Sequence, residues 1–93
     1  MAIFAAFNIA SMGKQQYEQV INTLDIQEKG LVDGCLHHVV SFTSDGLLVG
    51  DVWESAEKLA SFIEILRPRL AIEGISLPLP RVYAIDNIIT GGG

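Results

Sequence analysis

Basic residues are scarce: six Lys plus Arg stand against eleven Asp plus Glu in a chain of 93 residues, for a formal net charge of −5. A nucleic-acid binder needs a clustered basic footprint to displace counterions from phosphates. Here the only basic pair is Arg67 and Arg69, split by Pro68, so the sequence argues against nucleic acid as a partner. Cysteine is nearly absent. The lone Cys35 leaves no internal disulfide framework to build and fits a reducing, cytoplasmic setting. Within an apolar strand its plain role is that of a small buried hydrophobe. Long apolar runs are missing too. Nothing approaches the roughly 18 uninterrupted apolar residues of a membrane span. The opening run Met1-Ala2-Ile3-Phe4-Ala5-Ala6-Phe7 has no basic flank and meets polar Asn8 at once, so it does not read as a signal peptide. Glycine-rich phosphate loops, a nucleophile elbow and a Cys-x-x-Cys pair are absent, so no motif calls for a cofactor.

What is abundant is apolar surface. Hydrophobic residues make up 49% of the chain and charged residues only 18%. A monomer this short buries only a little over about 60% of its unfolded surface, so part of that apolar surface needs another sink. With a membrane set aside, self-association is the expected one. The length suits one domain over residues 1–90, followed by a flexible glycine tail at 91–93.

Ala2 to Ile9 is short, apolar and rich in Ile and Phe, as a buried strand is. Tyr17, Val20, Ile21 and Leu24 fall at i, i+3, i+4 and i+7, which predicts an amphipathic helix from about Lys14 to Gln27, its connection ended by Gly30. Cys35 to Phe42 and Leu47 to Glu54 are strand-like runs around Ser44-Asp45-Gly46, and Asp-Gly between apolar runs is the strongest short hairpin signal. Ser55 is a natural N-cap for a second helix carrying Leu59, Phe62, Ile63, Leu66 and Leu70. Pro68 predicts a kink or break in it, and Gly74 its end. Val82 to Ile89 reads as a last strand. The fold class is therefore α+β in the order βαββαβ: a four-stranded antiparallel sheet with two helices on one face, the ferredoxin-like arrangement.

With Asp45 and Gly46 as the turn residues, one hairpin face carries Leu36, His38, Val40 and Phe42 beside Leu47, Val49, Asp51 and Trp53. The other carries Cys35, His37, Val39 and Ser41 beside Leu48, Gly50, Val52 and Glu54. Both faces hold large apolar residues, whereas a half-solvated sheet alternates cleanly. The face without helices needs a partner, and a second copy is the simplest, so a homodimer through the sheet face is expected.

That register puts His38 opposite Trp53 and diagonal to Asp51. Diagonal neighbours lie about 7–8 Å apart, within reach of long side chains. A carboxylate beside a histidine holds one tautomer and tunes it for proton transfer. The catalytic candidates are thus His38 and Asp51. Trp53 offers a flat wall and an indole N–H to a ring-shaped ligand, and Asn8 an amide, if its parity turns it inward. Four polar handles in an apolar shell are the usual anatomy of a small-molecule site. The plainer alternative is that His38 and Asp51 are a satisfied buried pair, Trp53 is core, and Asn8 caps the strand end. His37-His38 is no metal motif, since alternation sends the two rings to opposite sides. His37 belongs at the dimer seam or its rim.

The run Asp51-Val52-Trp53-Glu54-Ser55, with Glu57 and Phe62 following, resembles a segment common in the dimeric α+β-barrel superfamily, which includes the antibiotic-biosynthesis monooxygenase-like proteins. His38-Val39, Leu66-Arg67-Pro68-Arg69-Leu70 with Gly74, and Asn87 add to the likeness, which covers most of the chain. The resemblance implies a ferredoxin-like protomer that pairs sheet to sheet with a second protomer and keeps a pocket between sheet and helices. Some such proteins oxidise quinol-like substrates with no cofactor, through a substrate carbanion that meets oxygen. Others degrade haem, decompose chlorite or isomerise lactones. The haem-degrading branch places an asparagine on its first strand, a tryptophan ending its third, and a ligating histidine on its second helix. Asn8 and Trp53 match the first two, but the helix reads Phe62-Ile63-Glu64 and no histidine follows His38.

The leading expectation is a cofactor-independent monooxygenase-like enzyme acting on an aromatic or quinol-type small molecule. In it His38 abstracts or relays a proton, Asp51 orients His38, and Trp53 and Asn8 position the ring. A non-catalytic dimer that binds a metabolite or serves a structural role competes with it, and a haem-binding protein is the third alternative.

Overall fold

The computed structural model describes residues 1–10, 12–24, 32–89 and 91. The end of the first predicted helix (Asp25 to Gln27), Gly30 and most of the glycine tail lie outside them. The elements run β1 (Ile3–Ala10), α1 (Lys14–Leu24), β2 (Cys35–Thr43), β3 (Gly46–Trp53), α2 (Ala56–Ile72) and β4 (Arg81–Ala84). The four strands form one antiparallel sheet in the order β2-β3-β1-β4.

One face of that sheet is the core. Ile3, Ala5, Phe7 and Ile9 of β1 and Leu47, Val49, Asp51 and Trp53 of β3 are buried, while their even-numbered neighbours point the other way, with Phe4, Asn8, Ala10 and Leu48 exposed. Val20 from α1 and Leu59 and Leu70 from α2 join the same apolar cluster, so both helices lie on this face. Trp53, Leu47 and Leu70 are buried to within 2% of full enclosure. Burial of a large apolar side chain contributes roughly 1.5–3 kcal/mol, so these side chains dominate what holds helices to sheet.

α2 starts where Ser55 accepts a hydrogen bond from the Lys58 amide at 3.2 Å. It runs on through Pro68, so of the kink or break expected from sequence the break does not occur. A proline in a helix interior costs about 3 kcal/mol. Leu70 beyond it and Ile75 after the helix are both buried, which returns on the order of 3–6 kcal/mol for the pair. The helix ends in a Schellman turn: Ile75 donates to the Leu70 carbonyl, Gly74 to that of Ala71, and Gly74 takes φ +75°.

Two strand expectations need correcting. β4 ends at Ala84, not Ile89, because it pairs antiparallel with Ile3–Ala6 and its register runs past the start of β1; the last contact is Ile85 N–H to the Ala2 carbonyl at 3.4 Å. The hairpin turn is Ser44-Asp45, with Gly46 opposite Thr43. Thr43 Oγ1 braces it, donating to the Gly46 carbonyl at 3.1 Å and accepting from the Asp45 amide at 3.3 Å. His38 therefore faces Asp51 directly instead of Trp53, while both stay on the expected face.

Candidate active site under the helices

His38 and Asp51 sit on adjacent strands, directly across from one another, in the middle of the helix-covered face. The buried Asp51 carboxylate accepts from His38 Nδ1 at 2.6 Å through Oδ1, and from the Trp53 indole N–H at 3.3 Å through Oδ2. The other imidazole nitrogen, Nε2, meets the Tyr17 hydroxyl at 2.7 Å. Among the described residues no buried side-chain polar atom lacks a partner.

For a neutral imidazole the partners choose the tautomer. A carboxylate only accepts, so Nδ1 carries a hydrogen toward Asp51, and Nε2 of the neutral ring accepts the Tyr17 O–H. Tyr17 keeps that proton firmly: burial and then the Asp51 charge raise its pKa above the ordinary phenol value of 10.0. Its ring lies nearly parallel to His38, 13° off at 6.0 Å, and meets Phe42 edge-on at 5.7 Å. Sequence reasoning missed Tyr17, counting it only as a member of the apolar stripe of α1.

Trp53 is 1% exposed and tilts against Phe62 at 5.1 Å. Its indole N–H is spent on Asp51, so it braces the carboxylate. Asn8 is not brought to the site. On β1 the inward residues are Ile3, Ala5, Phe7 and Ile9, and Asn8 faces the uncovered side opposite Leu48, where it is exposed. Its expected ring-positioning role under the helices is withdrawn, because its parity is the wrong one.

Cys35 moves the other way. A bulge between Cys35 and His37 puts Cys35 opposite Trp53 and leaves Leu36 as the extra residue, 45% exposed. The extra residue reverses the alternation, so Cys35 lines the covered face. Burial and then the Asp51 charge push its thiol pKa up to about 11, and its Sγ–H donates to the His37 carbonyl at 3.5 Å.

Between sheet and helices lies an apolar cavity of about 70 Å³, with Phe7, Val49 and Leu47 as its floor, Tyr17, Val20 and Leu24 on the α1 side, and Phe62 and Leu66 on the α2 side. His38, Asp51, Cys35 and Trp53 also line it. Among the described residues no group of three His, Cys, Asp or Glu side chains gathers as a metal site, and no helix is long and apolar enough to cross a membrane.

Solved structures share this architecture. A provisionally named antibiotic biosynthesis monooxygenase of Deinococcus radiodurans superposes with a TM-score of 0.59 at 16% identity, covering 100% of both chains. The chain has the same fold. A second protein so named, from Chloroflexus aurantiacus, gives a TM-score of 0.51 at 18% identity over 99% of this chain and 95% of its own. No family model and no curated protein matches the sequence. The fold expected from the sequence, a ferredoxin-like βαββαβ protomer of the kind found in antibiotic-biosynthesis monooxygenase-like proteins, is the one observed.

Proposed function

We propose that this protein is a cofactor-independent monooxygenase-like enzyme for an aromatic substrate bearing a phenolic hydroxyl. One observation carries the reading: His38 Nε2 already holds a phenol O–H at 2.7 Å, with a buried carboxylate behind the opposite nitrogen at 2.6 Å. This is the arrangement a general base needs, with the acceptor aimed at the hydroxyl and the carboxylate fixing the tautomer and stabilising the imidazolium that forms. The substrate O–H breaks and N–H forms on Nε2, while the electron pair stays on oxygen and delocalises to a ring carbon. That carbon bonds dioxygen, the peroxide takes back the proton from Nε2, and loss of water, with the hydrogen of that ring carbon, leaves a quinone. Each phenol and O₂ give a quinone and water. Asp51 and Trp53 are positioning residues in this scheme. The names of the two solved neighbours accord with it.

A haem-binding role is disfavoured by the same contacts. Both nitrogens of His38 are bonded, and a cavity of about 70 Å³ has no room for a macrocycle. The structural alternative draws on the complete satisfaction of the network.

The assembly belongs to the proposal too. Phe4, Val39, Leu48 and Tyr83 are 38–65% exposed on the uncovered sheet face, and Phe4 stacks on Tyr83 at 6.5 Å. A contiguous apolar patch of this kind suits a second copy of the chain. A cytoplasmic setting rests on the unpaired Cys35 thiol. Oxygen uptake over a panel of phenols and hydroquinones tests the reaction. Uptake that stops in His38→Ala is the expected result, and none above background, or an unchanged rate in that variant, would sink it.

A further inference from the structure

Both nitrogens of His38 are occupied, so a ligand in the cavity finds no free base. The cavity is also small: about 70 Å³, where roughly 150 Å³ admits a benzene ring. A substrate ring cannot reach His38 while Tyr17 stays where it is. We infer that Tyr17 is a displaceable self-ligand: its phenol holds the place of the substrate, and a single-ring phenol binds by taking over both its hydrogen bond to His38 Nε2 and the space its ring leaves beside Phe42. The inference rests on His38 being the base of the proposed reaction.

Three features favour displacement over relay through the Tyr17 hydroxyl. Removing the Tyr17 ring frees a volume of the shape and size a phenol needs, next to the existing void, with the near-parallel face of His38 and the edge of Phe42 already in place. Tyr17 is only half-buried and sits one turn ahead of Val20 and Ile21, the buried residues that anchor α1. A side-chain rotation therefore moves the phenol without unseating the helix. Relay, finally, needs a substrate hydroxyl within reach of the Tyr17 oxygen, and the cavity of about 70 Å³ has no room for a ring there while Tyr17 stays in place.

Competition with a built-in phenol sets the selectivity. The incoming hydroxyl must be a better donor to Nε2 than tyrosine's, so acidic phenols are preferred, and an aryl ether, with no O–H, has nothing to exchange.

The probe is 4-nitrophenol, whose visible absorption reports its ionisation, with 4-nitroanisole as control. Wild type is expected to bind 4-nitrophenol and not the ether. Tyr17→Phe keeps the ring but removes the competing hydrogen bond, and should bind about three- to tenfold tighter. Equal or weaker binding by a Tyr17→Phe protein of unchanged melting temperature overturns the inference. In wild type, the Tyr17 ring resonances should move to solvent-exposed positions on saturation with 4-nitrophenol; resonances that stay put overturn it as well. His38→Ala separates the two readings. If it abolishes binding while Tyr17→Phe leaves binding unchanged, only the self-ligand fails. If it leaves 4-nitrophenol binding intact, the base itself is wrong.

Discussion

Replacing Asp51 by asparagine separates what the carboxylate does for stability from what it does for His38. The wild-type carboxylate accepts two hydrogen bonds, from His38 Nδ1 at 2.6 Å and Trp53 Nε1 at 3.3 Å. Asparagine has one acceptor oxygen and one NH₂ donor. With its oxygen toward Trp53, its NH₂ faces Nδ1, and His38 satisfies it by moving its own proton to Nε2. Tyr17 then accepts from Nε2–H in place of donating. Every group keeps a partner, so the loss is the difference between charge-assisted bonds of about 1.5–3 kcal/mol and neutral ones of about 0.5–1.5 kcal/mol. Relief from burying a charge offsets part of it, which leaves a net cost of about 1–2 kcal/mol. For a domain of this size that lowers Tm by roughly 5–15 °C. Asp51→Ala should cost more, about 3–5 kcal/mol, because the buried indole N–H is left without an acceptor. Asp51→Asn should therefore fold and yet lose activity, since Nε2 now carries a proton and cannot accept one. Urea and thermal melts give the stability, and ¹⁵N-detected NMR of the imidazole gives the tautomer. A variant that keeps Nδ1–H, or that turns over normally, would refute this account of the His38–Asp51 pair.

Other perturbations probe the surroundings of the site. Cys35 is held protonated, its pKa raised from 9.0 to about 11, so at pH 8 iodoacetamide should modify it roughly a hundredfold more slowly than an ordinary thiol; modification at the ordinary rate contradicts the burial described. The same shift has a sign for stability. The unfolded thiol ionises near 9.0 while the folded one keeps its proton to about 11, so this contribution is intact below pH 9 and falls away between about 9 and 11, and the alkaline limb of the melting profile should flatten in Cys35→Ala. Gly34→Ala should destabilise by about 2 kcal/mol or more in urea unfolding, because Gly34 takes φ +86° and an added Cβ would lie 2.5 Å from that of Lys58. Leu48→Lys places a charge on the proposed dimer face, where Leu48 is 47% exposed, and sedimentation should show dissociation with the monomer fold kept; a wild type that sediments as a monomer removes the dimer.

The sequence placed His38, Asp51 and Trp53 on one face although it chose the wrong turn, and the reason is geometric. Ser44-Asp45-Gly46 offers two candidate turn pairs, and moving from one to the other shifts each cross-strand partner by two places, which exchanges diagonal for direct opposition but leaves alternation intact. Faces were legible because strand parity is the same for either turn pair; partners were not, because the turn residues alone do not choose between the pairs. The bulge at Leu36 had no local signature, and it reverses parity, carrying Cys35 inward. Asn8 differs, since the inward parity of Ile3, Phe7 and Ile9 already turned it outward. Tyr17 shows where apolar patterning is blind. A tyrosine at a helical stripe position counts for its ring, and its hydroxyl vanishes from the count. Yet α1 covers a sheet face holding a histidine backed by a buried carboxylate, and a stripe tyrosine above that pair is the natural donor to the histidine's second nitrogen. The polar end of each stripe residue, set against the polar residues of the face it covers, would have found the third member of the hydrogen-bond chain.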